Sequence, residues 1–101
     1  MSVTFVRSSC CMPGKIPEGH QYFKKRIKWL KETFGVEASL MVNLGGQVGR
    51  IAMVSQNDSV AKIEEIRRRI VAGALPKELA TGAEGLFLPG ETMDRIWLKI
   101  E

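Results

Sequence analysis

Three observations predict an α+β sandwich with one four-stranded antiparallel sheet and two helices on one face. Apolar and polar residues alternate in four segments, two further segments repeat apolar residues at spacings of three and four, and turn residues punctuate both kinds. Their order is strand, helix, strand, strand, helix, strand. Two strand-helix-strand units sharing a hairpin make the ferredoxin-like βαββαβ arrangement.

The first strand, residues 2–11, sets Val3, Phe5, Arg7 and Ser9 on one side and Thr4, Val6, Ser8 and Cys10 on the other, and runs into Met12-Pro13-Gly14-Lys15. A helix opens at Pro17, which suits a first helical turn, and its stripe of Phe23, Ile27, Leu30 and Phe34 stops at Gly35. Residues 36–43 alternate again, with Val36, Ala38, Leu40 and Val42 opposite Glu37, Ser39, Met41 and Asn43. Leu44-Gly45-Gly46-Gln47 then turns the chain into a third strand over 47–56. Asn57-Asp58-Ser59 offers capping side chains to a second helix, whose buried stripe is Val60, Ile63, Ile66, Ile70 and Val71 up to Gly73.

Residues 74–92 exceed what the minimal fold requires, and a connection of that length usually packs somewhere or has a role. Pro76 to Gly82 reads as a short helical turn, and Leu86-Phe87-Leu88 as an apolar patch between turn residues. The patch is a candidate cover for Tyr22 and Trp29, which lie opposite the core stripe of the first helix. The last strand, 93–101, turns Ile96, Leu98 and Ile100 one way and Arg95, Trp97 and Lys99 the other.

At 101 residues the chain reads as a single domain, 1–101. It holds no apolar run of the roughly 20 residues that span a bilayer, and its start lacks a secretory pattern, so a cytoplasmic location is expected. Cys10 and Cys11 are neighbours whose side chains diverge on a strand, which predicts reduced structural thiols rather than a disulfide. Cys10-Cys11-Met12 does sit where a metal carrier of this fold would place ligands, but the cysteines are adjacent and one histidine completes no zinc set; no metal and no cofactor is expected. The formal charge of +4 permits nucleic-acid binding. Its excess falls on two helices, at Lys24, Lys25, Arg26, Lys28 and Lys31 and at Arg67, Arg68 and Arg69, where Glu64 precedes Arg68 and Glu65 precedes Arg69 by four, the pattern of a solvated face.

Two helices cover one side of a four-stranded sheet, and both sides here carry large apolar residues: Met41, Ile51 or Val54, Met53, Phe5 or Val6, and Trp97. The expected solution is a homodimer joined through the uncovered sheet face, since isologous pairing is the commonest oligomer symmetry. The strand ending in Met12-Pro13-Gly14-Lys15, the helix after it, the Gly35-Val36 step and the hairpin to Ser55 resemble the dimeric α/β-barrel superfamily. That group includes antibiotic-biosynthesis-monooxygenase-like, NIPSNAP-like and stress-responsive barrel proteins. The resemblance covers about the first 72 residues and the last strand. It implies a ferredoxin-like protomer that dimerises through its sheet and holds a small-molecule cavity between helices and sheet. Haem-degrading members of the group use an Asn, Trp and His set; Asn43, Trp97 and His20 supply the residue types in a different order.

His20, near the start of the first helix, is the candidate for proton transfer, because its ordinary pKa is close to neutral. Arg7, Arg50 and Trp97, with Arg95 beside them on the strands, are candidates for holding a small anionic or apolar ligand, together with Asn43 and Met41. The leading functional reading is a homodimeric small-molecule-binding protein, either a cofactor-independent monooxygenase- or isomerase-like enzyme or a relative without turnover. The alternatives are a nucleic-acid-binding module on the same fold and a non-catalytic interaction protein. The third strand lacks the stacking aromatics that RNA recognition needs, which makes nucleic acid the weaker of these partners.

Overall fold

Side-chain alternation divides each strand into two sets, and the sets read from the sequence hold across the whole sheet. The computed structural model describes residues 2–100. Its strands are β1 (Val3–Cys10), β2 (Ala38–Val42), β3 (Arg50–Asn57) and β4 (Met93–Leu98); its helices are α1 (Ile16–Phe34), α2 (Val60–Arg69) and the short α3 (Lys77–Thr81). The strand order is β2-β3-β1-β4, with every neighbouring pair antiparallel, which is the ferredoxin-like α+β fold.

Register fixes the two faces. Phe5 pairs with Ser55 and Ile96, and Arg7 pairs with Met53 and Asp94, so these residues share the side that carries α1 and α2. Ile51 and Met53 of β3 meet Phe23 and Leu30 of α1 and Ile66 of α2 in the core, all less than one-tenth exposed. Each such side chain contributes about 1.5–3 kcal/mol on burial. The helix ends behave as their sequences require. Gly35 closes α1 at φ 70, a left-handed conformation in which its N–H reaches the Lys31 carbonyl at 3.0 Å. Ser59 Oγ accepts from the Lys62 N–H at 3.2 Å at the start of α2. After Arg69 the helix widens through Ile70–Ala74 and breaks at Gly73, where φ is 99.

The long connection packs onto α1. Tyr22 donates its hydroxyl to the Leu79 carbonyl at 2.9 Å, and the Phe87 ring stands edge-on to Tyr22 and Phe23 at centroid distances of 5.8 and 5.3 Å. The Phe87 patch therefore covers Tyr22 as expected, whereas Trp29 finds its own neighbour, Phe34, at 5.4 Å. The hairpin between β2 and β3 is wider than its sequence suggests. Asn43 accepts the Gly45 N–H and Gln47 accepts twice from the Arg50 guanidinium, at 2.7 and 3.2 Å, so these side chains occupy the loop and strand pairing begins at Arg50 rather than Gln47. The Glu64–Arg68 and Glu65–Arg69 pairs are not among the ion pairs formed by the described residues.

Among the described residues no helix lies over the opposite sheet face, where Met41, Met93 and Trp97 are each more than half exposed. Among the described residues no helix is long and apolar enough to cross a membrane. Both cysteines are free thiols and buried, and burial, helped by the neighbouring Cys10, pushes the Cys11 thiol above its ordinary pKa.

Gly19 allows α1 to rest on Cys11. A Cβ at this position would lie 2.6 Å from Cys11 Sγ and 3.3 Å from the Phe87 ring. Overpacking costs about 1–3 kcal/mol against about 1 kcal/mol recovered in helix propensity. Gly19→Ala is therefore expected to lower the thermal midpoint, and adding Cys11→Ala to that variant should recover part of the loss. Equal stability of parent and Gly19→Ala would remove this contact as the reason for glycine.

Candidate functional site

α1 packs on β2 and β3, and α2 on β3, and a gap stays open between the helices and the helix-side residues Phe5, Arg7, Asp94 and Ile96 of β1 and β4. A cavity of about 440 Å3 occupies that gap. Its floor is Phe5 and Arg7 of β1, Met53, Ser55 and Asn57 of β3, and Asp94 and Ile96 of β4. Arg26 and Leu30 of α1 and Ile63, Ile66 and Arg67 of α2 enclose it from the helix side, and Ile70 and Val71 of the widened turn complete that wall. Most of the lining is aliphatic or aromatic, as in small-molecule sites generally.

Seven of the sixteen lining residues are polar, and five of these are charged. Arg7 and Asp94 stand opposite each other in the β1–β4 register and pair as a fork, Nε to Oδ1 at 2.7 Å and Nη2 to Oδ2 at 2.8 Å. The Arg7 hydrogen bonds, and after them the charges of Arg7, Arg67 and Arg26, hold the Asp94 carboxyl below the usual carboxylate range against the opposing effect of burial. Arg7 is in turn held further toward its charged form by Asp94. On the β3 floor Asn57 Nδ2 donates to Ser55 Oγ at 3.1 Å.

Arg26 has a different environment. It is 9% exposed, and among the described residues its guanidinium makes one hydrogen bond, from Nη1 to the Tyr22 hydroxyl at 3.2 Å. Its Nε is closed to solvent and has no acceptor. None of the ion pairs among the described residues includes it.

The residues singled out from sequence are distributed rather than gathered. Arg7 lines the cavity. Arg50, Arg95, Trp97 and Met41 project from the opposite sheet face, so the convergence of Arg7 with Arg50 and Trp97 does not occur. Arg50 is instead a clamp, donating to Ser8 Oγ at 2.8 Å, to the Glu91 carbonyl at 3.1 Å, to the Glu91 carboxylate at 3.0 Å and to Gln47. Asn43 shapes the hairpin loop, and His20, half-buried on α1, lines neither this cavity nor a smaller hollow between α1 and α3. Among the described residues no three His, Cys, Asp or Glu side chains come together as a metal site.

Arg26 and Asp94 were missed. Arg26 was grouped with the lysines of α1 as solvated, yet it lies three residues after Phe23 and four before Leu30, the spacing of the buried face. Asp94 carried no signal until register placed it across from Arg7.

No protein-family model and no curated protein sequence matches the chain. Solved structures do resemble it. A NIPSNAP family protein of unknown function from Agrobacterium tumefaciens superposes with a TM-score of 0.75 at 16% identity, over 95% of this chain and 86% of that one. A NIPSNAP-like domain protein from Burkholderia xenovorans gives 0.72 at 14%, over 98% and 85%. A provisionally assigned antibiotic biosynthesis monooxygenase from Bordetella bronchiseptica gives 0.74 at 13%, over 99% and 98%. At these identities the likeness establishes the ferredoxin-like fold that these proteins share.

Because the folded pKa of Asp94 is depressed, its pairing adds stability above the ordinary carboxylate range near pH 4, and that stability is lost as pH falls through the lowered value. Asp94→Asn should therefore destabilise most at neutral pH, modestly, since the carboxylate is 35% exposed. Urea unfolding at pH 7 and pH 3 should show the gap from the parent narrowing in acid. A gap independent of pH would mean that the pair is not its source.

Proposed function

We propose that this protein binds a small, mainly apolar molecule in the cavity between its helices and sheet, and that it does so as a homodimer. The observation that carries the first part is the cavity itself: about 440 Å3, walled largely by aliphatic and aromatic side chains, within the usual volume of small-molecule sites. The second part is supported by the open sheet face. Met41, Val54, Val6, Met93 and Trp97 lie on that face, and the long connection packs on α1, with Glu91 at its end reaching the face at Arg50. A second copy of the same face would remove that surface from water and complete a barrel of two sheets.

The name carried by the Bordetella bronchiseptica protein adds a catalytic version, in which the bound molecule is also oxidised. Here His20 stands outside the cavity and Asp94 is held as a carboxylate by Arg7, so the chain's own geometry favours binding over an assigned turnover.

Two measurements test the reading. The neutral fluorophore 1-aminoanthracene should brighten on addition of the protein, and Ile96→Trp, at the partly open floor, should weaken its binding about tenfold by filling the space. Brightening that survives this substitution unchanged would put the fluorophore elsewhere. Light scattering should give the mass of two chains, with Trp97→Asp shifting it to one while circular dichroism is retained. A parent that scatters as one chain would defeat the dimer.

A further inference from the structure

We propose that the cavity is built for an organic acid: an apolar body carrying one carboxylate, with that carboxylate seated against Arg26. This rests on the cavity being a binding site and names the class of molecule it takes. The starting point is a charge without a partner. A buried guanidinium ordinarily sits against a carboxylate or spends its five N–H groups on acceptors, because an uncompensated buried cation is strongly unfavourable. Arg26 does neither. Among the described residues it spends one N–H on the neutral Tyr22 hydroxyl, and its Nε is shut away from water with no acceptor.

Asp94 acts on Arg26 through space, but no neighbouring acid bonds to it among the described residues. Both oxygens of Asp94 are engaged by Arg7, and the geometry of that fork leaves the carboxylate committed to β1. Glu64 lines the cavity but is exposed and forms no ion pair among the described residues. Tyr22 directs its own proton to the Leu79 carbonyl, so it offers Arg26 a lone pair and no negative charge. Arg67, on the same lining, adds positive potential of the same sign. An incoming carboxylate would therefore meet a largely buried cation that has no ion-pair partner and is held in position by α1. The walls around it accept hydrocarbon.

The test uses three ten-carbon probes of one shape and different charge to displace 1-aminoanthracene at pH 7.5: decanoate, decanol and decylammonium. Decanoate is expected to displace about tenfold or more better than decanol, the range of a charge-assisted hydrogen bond, and decylammonium worst. In Arg26→Met the advantage of decanoate should vanish while decanol is unchanged, and the empty variant should melt higher than the parent because the unpaired charge is gone. Arg26→Gln, which keeps hydrogen-bonding atoms without charge, gives the same comparison if methionine impairs folding. Equal displacement by decanoate and decanol in the parent, or an advantage that persists without Arg26, overturns the organic-acid assignment and leaves the cavity reading standing. Failure of the fluorophore and all three probes to bind overturns the cavity reading itself.

Discussion

The rest of the structure follows from a mismatch of widths: two helices are laid over a sheet of four strands. α1 settles on β2 and β3 and α2 on β3, over Ile51 and Met53, and Val3 of β1 is buried as deeply. Toward β4 the helix-side surface stays partly open. Part of it is closed by the Arg7–Asp94 fork, which satisfies two charges that would otherwise face an apolar wall. The remainder becomes a cavity that is partly open at Ile96. The cavity is thus a result of how the layers fit rather than a hole in an otherwise continuous core.

Much of this was legible in the sequence. The alternating sets of each strand, both main helices, the short helical turn after Pro76 and the cover of Tyr22 by Phe87 follow from period and punctuation, while which set meets the helices comes only with register. The site was less legible, for two physical reasons. A side chain's partner across a sheet depends on register, which local pattern does not encode: Arg7 and Asp94 are 87 residues apart in the chain. A charged residue on the inner face of a helix looks, by composition, like its solvated neighbours. Lys25 and Arg26 are adjacent, yet Lys25 is exposed and Arg26 is buried.

Arg50 shows the same lesson from the other direction. Sequence placed it among ligand contacts because arginines on strands suit anions. In the fold it joins the hairpin loop, β1 and the approach to β4 through Gln47, Ser8 and Glu91, and its hydrogen-bonding capacity is largely spent on the protein. Arg26 and Arg50 differ less in residue type or distance from a sheet than in what remains for each to bond. Counting satisfied donors separates a structural guanidinium from one with capacity left for a guest.

The pairing of β1 with β4 has a bearing on when the molecule acquires its site. The floor is laid by β1 and β3 and closed by β4, the last strand, which pairs with the first across nearly the whole chain. During synthesis β1, α1, β2 and β3 emerge first and can associate through the β1–β3 and β2–β3 ladders while Arg7 still lacks its counter-ion. Docking of β4 then adds the last side of the floor, Asp94 and Ile96, and with Asp94 the counter-ion of Arg7.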